Sequence, residues 1–259
     1  MRVALFLPLF DELSEPRVAL DIAVAAEAAG WDGVFVWDHL LYREPVERIA
    51  DPWVVLAAMA HATESLLLGP MVTPVPRRRR QVLARQTVTL DRLSGGRLVF
   101  GAGLGGDPGG ELSRFGEEMQ PRARATLLDD GLEHLDRWWR GEEAGGVRLL
   151  PQPVQQPRIP VWLASRFPNR APVRRAANWD GWFPIGLPSP DDLAAQRDYA
   201  APFRPDPAAP WEIAVDGPVG GDPAPWAAAG ATWWLVGFDP FHLVRARVLE
   251  VARAGPPRP

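Results

Sequence analysis

The chain has 259 residues, of which 47% are hydrophobic, so it can bury one large α/β core or two smaller ones. Its formal net charge of −4 at pH 7 gives no overall attraction to nucleic acid or to an anionic membrane. All 28 basic residues are arginines and there is no cysteine, which excludes lysine Schiff bases, thiol nucleophiles, disulfides and cysteine-ligated zinc.

The first half of the sequence alternates short apolar runs with helical patterns. The N-terminal apolar stretch resembles a signal peptide, but it ends at Asp11 and Glu12, so we predict a buried strand and no targeting segment. No apolar run approaches the roughly 18 residues of a membrane-spanning helix, and we expect a cytoplasmic protein. The predicted strands are 3–7, 33–37, 66–72 and 97–103, and the predicted helices are 16–29, 51–63, 79–93 and 122–140.

The second half continues the same alternation. Its predicted strands are 159–164, 181–185, 211–215 and 231–236, and its predicted helices are 171–178, one capped by Ser189, 223–229 and 241–253. Eight strand–helix units with continuous rather than alternating apolar strands predict a (β/α)8 TIM barrel, with an open doubly wound sheet as the main alternative. We predict a single domain over 1–255 and a Pro-rich tail over 256–259.

Two polar residues directly follow the second predicted strand. In VFVWDHLLY (34–42), Asp38 and His39 stand at the strand end, where the loops that carry catalytic groups gather in a TIM barrel. An imidazole there can bind a ligand or move a proton near neutral pH, and the adjacent carboxylate can set its tautomer. The alternative is structural: Asp38 caps a turn and His39 packs.

Two further runs follow strand ends. GAGLGG at 101–106 exposes backbone N–H groups that could approach a phosphate or a flat ring; a plain turn is the alternative, and a Rossmann site would need a helix to begin at the last glycine. Arg77 to Arg80 are expected to open the next helix, with some side chains in solvent and others bound to carboxylates of neighbouring helices. The other three histidines show no zinc-ligand spacing, so no metal site is expected.

Four of the twelve tryptophans fall in predicted strands: Trp162, Trp182, Trp233 and Trp234. Some of them could line the barrel mouth as flat walls for an aromatic ligand. Core packing explains most of them equally well.

The order of motifs resembles one known family. AEAAGWDGVFVWDHL, LLLGPMVTPVPRRRRQVLARQTVTLDRLSGGRLVFGAGLGGD and IPVWLASRFPNRAPVRRAANWDGWFP together resemble the luciferase-like, flavin-dependent oxidoreductases, and the resemblance extends from residue 1 to about 255. It implies a TIM barrel that binds FMN or the deazaflavin F420 in its mouth.

The resemblance also implies roles for residues at the strand ends. The histidine that matches His39 commonly lies near the ring system or the substrate, and a bulge after the third strand, often with a non-proline cis peptide, supports the ring. The loop after the fifth strand resembles the segment that often receives the cofactor phosphate. The expected catalytic residues are His39 and Asp38, and the expected cofactor-binding residues are Met71, Val72, Thr73, Gly103, Gly105, Ala164, Ser165 and Arg166.

Four features of the sequence depart from the family pattern. F420-dependent relatives often carry a glutamate after the glycine-rich strand, where this chain has Gly106 and Asp107, and an aromatic residue four positions after the histidine, where it has Arg43. The segment 141–157 is shorter than in many relatives, so a substrate lid is expected to be reduced or absent. Close relatives tend to place an acid where Val236 stands.

We therefore predict a flavin- or F420-dependent oxidoreductase, either a monooxygenase or a hydride-transferring reductase, that acts on a small organic molecule. His39 would donate a proton or anchor an intermediate, with Asp38 as its orienting partner, and Arg166 would hold a phosphate. A separate flavin or F420 reductase and a homodimer are further expectations. The alternative is a flavin-binding protein without turnover on the same barrel. A metal-dependent hydrolase is disfavoured, because successive strand ends lack His and acidic ligands.

Overall fold

The computed structural model describes residues 1–257, so the last two residues of the predicted Pro-rich tail, 256–259, lie outside the described part. Its strands are β1 Arg2–Leu7, β2 Gly33–Val36, β3 Leu67–Pro70, β4 Thr73–Pro74, β5 Phe100–Gly103, β6 Glu143–Ala144, β7 Val147–Arg148, β8 Val161–Arg166, β9 Gly181–Ile185, β10 Glu212–Pro218 and β11 Trp233–Gly237. Its α-helices are α1 Pro16–Ala28, α2 Pro52–Ala62, α3 Arg80–Leu93, α4 Pro121–Trp139, α5 Arg170–Ala176, α6 Pro190–Ala200, α7 Ala224–Ala228 and α8 Arg245–Ala254.

Nine strands form one parallel sheet in the order β3-β2-β1-β11-β10-β9-β8-β5-β4. The two ends of this order, β3 and β4, are separated by two residues and are two parts of the same barrel strand. The sheet is therefore closed into a ring. A parallel bridge between Leu68 and Leu98 joins the ends. The predicted (β/α)8 TIM barrel is confirmed, and the open doubly wound sheet is wrong.

The strands read as continuous apolar runs because both of their faces are covered. Alternate residues fill the barrel interior or pack under the helices: Trp162 and Trp233 lie inside the barrel, whereas Trp182 and Trp234 lie between the sheet and the helix layer. All four are at most 2% exposed. Core packing is therefore the correct interpretation of these tryptophans, and none of them forms a wall of the mouth.

Several helices begin as the sequence predicts. Ser189 caps α6, where its hydroxyl accepts a hydrogen bond from the backbone N–H of Asp192. The last helix differs: it was predicted over 241–253 but begins at Arg245. Asp239 accepts the backbone N–H of Phe241 in a turn, and Val244 is extended, so the residues before Arg245 form a loop.

The segment 141–157 lies beside the N-terminal ends of the strands. After the β6–β7 hairpin, it is fixed to the end of α3 by Asp91, a buried carboxylate that accepts the backbone N–H groups of Val154 (2.6 Å) and Gln155 (3.2 Å). Catalytic loops of a TIM barrel gather at the other end. The segment consequently does not cover the mouth; that a substrate lid is reduced or absent stays a prediction.

Within residues 1–257, none of the helices combines the length and the apolar character that crossing a bilayer requires.

Candidate functional site

The mouth is the end of the barrel at which the parallel strands terminate, and aromatic side chains line one side of it. Trp37, at the end of β2, lies with its ring centroid 5.5 Å from that of Phe6 and 5.9 Å from those of His39 and Tyr42. Phe241 from the last loop packs on Tyr42 at 5.8 Å. From the sequence, possible aromatic walls were expected in the strands. Most of the aromatic side chains that line the mouth belong to loops instead.

A bulge interrupts the third barrel strand. β3 ends at Pro70 and β4 begins at Thr73, so Met71 and Val72 stand outside the strand ladder. The peptide bond between these two residues is cis, as the family resemblance predicts. Met71 is buried in the barrel interior, and Val72 is half-buried and packs against the same cluster.

Glycines on β5 make room for this bulge. A Cβ atom on Gly101 would lie 2.1 Å from the carbonyl oxygen of Pro70, and one on Gly103 would lie 2.5 Å from Cγ2 of Val72. Any larger residue would therefore push the bulge away. The glycine-rich run thus has a packing role; binding of a cofactor by Gly103 and Gly105 stays a prediction.

Substituting Gly101→Ala is expected to destabilise the protein by about 1–3 kcal/mol, because the new methyl group overlaps backbone that cannot move alone. Chemical denaturation measures the free energy of unfolding. The matched control is Gly106→Ala, whose Cβ would meet its nearest neighbour at an ordinary 3.5 Å. Equal stabilities of the two variants would contradict the packing role.

Asp38 is buried, and among the described residues its carboxylate makes no hydrogen bond with His39. Its carboxylate accepts hydrogen bonds from the Thr73 hydroxyl (2.7 Å) and from the guanidinium groups of Arg77 and Arg78 (both 2.7 Å). The interpretation of Asp38 as the orienting partner of His39 is wrong, because both of its oxygens are occupied on the side facing β4. Its place among the catalytic residues stays a prediction.

The carboxylate that holds His39 is Glu111, in the loop between β5 and α4. Oε1 lies 3.1 Å from Nδ1 of His39, and Oε2 accepts the backbone N–H of Leu40 (3.0 Å) and Nη1 of Arg77 (2.6 Å). Burial would raise the pKa of Glu111, but the His39 hydrogen bond and charge, with Arg77 and the Leu40 N–H, outweigh it and hold the pKa below its ordinary value.

An ionised carboxylate only accepts hydrogen bonds, so His39 Nδ1 carries a hydrogen and donates it to Glu111. The second ring nitrogen, Nε2, is thereby left for other partners. The family pattern places a glutamate at Gly106 and Asp107, so Glu111, a few residues further along the chain, was not identified from the sequence. The sequence did offer one signal for Glu111, its position between Gly110 and the apolar Leu112. Leu112 is buried and therefore brings this loop toward the barrel.

Glu111→Gln is expected to lower the free energy of unfolding at pH 7 by about 1.5–3 kcal/mol, the range for hydrogen bonds to charged groups. Because the pKa of Glu111 is lower in the folded protein than its ordinary value of 4.5, the carboxylate stabilises the fold above that pH, and this contribution is lost as the pH falls below it. Denaturation at pH 7 and at lower pH should show the difference from wild type shrinking. Glu133→Gln, on the exposed face of α4, serves as control; a difference independent of pH would argue against the ionised pair.

Arg77 joins the two carboxylates, and its side chain is only 2% exposed. Asp38, Arg77, Glu111 and His39 therefore form one continuous network, which we call the mouth network. The predicted contacts of the arginine run are confirmed in part: Arg80 pairs with Asp130 on the neighbouring helix α4 and Arg79 is exposed, but Arg77 and Arg78 bind loop carboxylates of the mouth.

The residues at the end of β8 that are predicted to hold a phosphate lie on different sides of the strand. Ser165 is 3% exposed, and its hydroxyl accepts the indole N–H of Trp182 at 2.7 Å on the helix-facing side. Arg166 is exposed, and among residues 1–257 no carboxylate lies within 4 Å of its guanidinium. Ala164 is half-buried against the barrel interior, 3.6 Å from where a Cβ on Gly103 would lie. Cofactor binding by these residues stays a prediction.

Another arginine near the mouth, besides Arg166, was not identified from the sequence. Arg124, in the first turns of α4, is 9% exposed, and its Nε and Nη1 atoms are buried without a hydrogen-bond partner among the described residues. It is close enough to the β5–α4 loop for its charge to help lower the pKa of Asp107, although hydrogen bonds from Leu112 and Ser113 contribute more. A buried, incompletely paired cation suits an anionic ligand.

Among the described residues, a cavity of about 230 Å³ lies beside α8 and another of about 240 Å³ lies between α3 and α4. His39 lines neither of them. Arg78, which bonds Asp38, lines the second cavity, whereas Arg77 and Glu111 line neither. Across residues 1–257, no group of three or more His, Asp and Glu residues is arranged to hold a metal ion.

Comparisons with known proteins agree with this architecture. The model of the luciferase-like monooxygenase family matches residues 1–214. An uncharacterized protein of Mycobacterium tuberculosis is 32% identical over 202 residues, which cover 73% of this chain and 70% of that protein.

Two solved structures share the fold. The coenzyme F420-dependent tetrahydromethanopterin reductase of Methanopyrus kandleri has a TM-score of 0.77 at 16% identity, with 97% of each chain covered. The oxygenating component of 3,6-diketocamphane monooxygenase from Pseudomonas putida, solved with FMN, has a TM-score of 0.68 at 17% identity, covering 83% of this chain and 66% of that one. At these identities the likeness shows the fold alone.

Proposed function

The chain belongs to the luciferase-like monooxygenase family, and from this premise we propose that it is an oxidoreductase that binds FMN or F420 in the barrel mouth and acts on a small organic molecule. The observation that supports this most directly is the mouth network, in which a buried glutamate orients the ring of His39. Two structural neighbours are described as F420-dependent and as FMN-bound, which leaves both cofactors open.

The residues of the mouth fit a flat ring with an anionic tail. Val72, Gly103 and Ala164 form a floor of small side chains beside the bulge, on which a planar heterocycle could lie. Arg124 and Arg166 are the cations that can take a phosphate: the first is buried with unpaired nitrogens, and the second is open to solvent. When bound, such a cofactor supplies the redox chemistry that no side chain of this protein provides.

The protein's own residues would position and protonate the substrate. Glu111 accepts from His39 Nδ1 and fixes the plane of the imidazole, so that Nε2 can give a proton to the substrate or take one from it. Arg77 keeps Glu111 ionised and in place. The aromatic side chains Trp37 and Tyr42 pack around His39 and limit access of water.

The second candidate is a protein on the same barrel that binds a flavin without turnover. The short segment 141–157 favours it, as do the glutamate that is missing at Gly106 and Asp107 and the acid that is missing at Val236. The structure weakens one of these arguments, because Glu111 supplies an acid beside His39. A separate reductase and a homodimer stay predictions.

Separate titrations of the purified protein with FMN and with F420 test the proposal, followed by measurement of cofactor oxidation in the presence of small organic substrates. Saturable binding of one cofactor with substrate-dependent turnover supports the oxidoreductase. Binding without turnover across a broad substrate panel favours the binding protein. Binding of neither cofactor refutes both.

The phosphate-binding arginine can be identified by comparing FMN with riboflavin, which lacks the phosphate. Replacing the arginine that contacts the phosphate with Gln should weaken FMN binding about tenfold or more and leave riboflavin binding unchanged. The two variants to compare are Arg124→Gln and Arg166→Gln. If neither variant distinguishes FMN from riboflavin, neither arginine holds the phosphate.

A further inference from the structure

Asp216 is a carboxylate of the mouth that is not part of the mouth network. On β10, Ala214 lies inside the barrel and is fully buried, whereas Ile213 and Val215 pack against the helix layer. Side chains alternate along a strand, so Asp216 points to the same side as Ala214. Its partner in the ladder, Leu235 on β11, is fully buried in the barrel interior. Ala214 is thus the residue below Asp216 on the inner face of β10, Leu235 stands beside it, and the Asp216 carboxylate near the end of the strand faces the mouth.

The carboxylate of Asp216 has no ion pair within 4 Å and no hydrogen bond from another residue's side chain in the described part of the chain. The ladders β8–β9 and β9–β10, continued by three residues, place Arg166, Ile185 and Asp216 at one level. Arg166 is two strands away, about 10 Å between backbones. Ile185 and Leu235 on the adjacent strands carry no charge, so Arg166 is the charged group that faces Asp216 from this wall.

Asp216 is accessible to water but lies within the rim of the barrel. Burial among the surrounding strands raises the pKa of its carboxyl above the ordinary value, and its own backbone N–H and the charge of Arg166 reverse only part of this rise. Asp216 therefore changes between its ionised and protonated states at a pH closer to neutral than an ordinary aspartate does.

The position of Asp216 around the barrel separates it from the cofactor floor. In the sheet order, β10 stands four barrel strands from the β3–β4 strand, which is the opposite side of an eight-stranded ring. A flat ring on the bulge would leave the opposite rim of the mouth, where Asp216 lies, for a substrate. In the barrel interior beneath the mouth, Phe6 and Phe183 are buried and pack edge to face, with ring centroids 5.6 Å apart.

We propose that Asp216 is a specificity-determining residue that binds a hydroxyl group of a small, uncharged substrate. The proposal deepens the proposed function and rests on it. A hydroxyl donates to an ionised carboxylate and accepts from a protonated one, so it pairs with Asp216 in either state. An ether or ketone pairs only with the protonated state. An ammonium group pairs only with the ionised state, and a substrate carboxylate is repelled by that state.

The test measures the binding of two related probes, cyclohexanol and its methyl ether methoxycyclohexane, to the full chain by ligand-observed NMR, with and without cofactor. Wild type should bind the alcohol about tenfold more tightly than the ether at neutral pH. Asp216→Leu should abolish this preference. Asp216→Asn should retain binding of the alcohol, since an amide both donates and accepts. Asp198→Asn, on the exposed face of α6, is the control and should match wild type.

A pH series supplies a second readout that does not depend on the Leu variant folding. In wild type, ether binding should strengthen as the pH falls and Asp216 gains a proton, and in Asp216→Asn this dependence should vanish. An alcohol preference that survives in Asp216→Leu, or ether binding with the same pH dependence in wild type and Asp216→Asn, would overturn the proposal. Loss of the proposed redox function would appear separately, as failure to bind FMN and F420 while probe discrimination persists.

Discussion

Replacing Arg77 with methionine is expected to destabilise the protein by about 3–5 kcal/mol, the largest stability effect among the substitutions considered. The Arg77 side chain is 2% exposed and bonds two carboxylates, those of Asp38 (0% exposed) and Glu111 (1% exposed). Methionine fills much of the volume, but it leaves the buried carboxylate of Glu111 without an arginine and leaves Asp38 with Arg78 alone. The free energy of unfolding from chemical denaturation checks this expectation.

Arg79→Met is the matched control, because Arg79 is an exposed member of the same arginine run and surface substitutions usually change stability by less than about 0.5 kcal/mol. The double variant Arg77→Met with Glu111→Gln removes the charge that Arg77→Met alone leaves without an arginine, that of Glu111. It should therefore be less destabilised than the sum of the two single variants. If Arg77→Met were as stable as Arg79→Met, the mouth network would contribute nothing to the fold.

His39→Ala is expected to reduce turnover by about 10²–10⁴-fold, the range typical of a lost general acid or base. Affinity for FMN or F420 should stay within about tenfold of wild type, since the proposed role of His39 is proton transfer and not cofactor binding. Turnover is measured as oxidation of the reduced cofactor with substrate, and affinity by titration of the same preparation.

The control for this substitution is His61→Ala, since His61 is exposed on α2, away from the mouth network. A His39→Ala variant with full activity would remove His39 from the mechanism. A variant that loses cofactor affinity as much as turnover would instead make His39 part of the cofactor site. Glu111→Gln should reduce turnover less than His39→Ala, because it misplaces the imidazole without removing it.

The barrel could be predicted because its signal is local. Apolar runs such as 3–7 and 181–185 coincide with β1 and β9 within one residue, since a strand covered on both faces must be apolar along its whole length. The β6–β7 hairpin and the start of the last helix were missed. The first consists of two-residue strands, and the second depends on a turn at Asp239.

The site was predicted less well, since its contacts join residues that are distant in sequence. His39 and Glu111 are separated by 72 positions and Asp38 and Arg77 by 39, so no spacing rule pairs them. Adjacent residues of an extended chain point to opposite sides, which is why Asp38 and His39 bind different partners. Ser165 and Arg166 diverge for the same reason.

The sequence by itself determined the order of strands and helices, the membership of a family and the location of polar residues at strand ends, because these depend on hydrophobic periodicity and on local motifs. Only the tertiary structure decided which charges meet: that Glu111 rather than Asp38 holds His39, that Arg77 joins both acids, and that Asp216 faces the mouth. The physical reason is that buried charges select their partners by distance and desolvation in the folded barrel, and neither quantity is encoded in the spacing of residues along the chain.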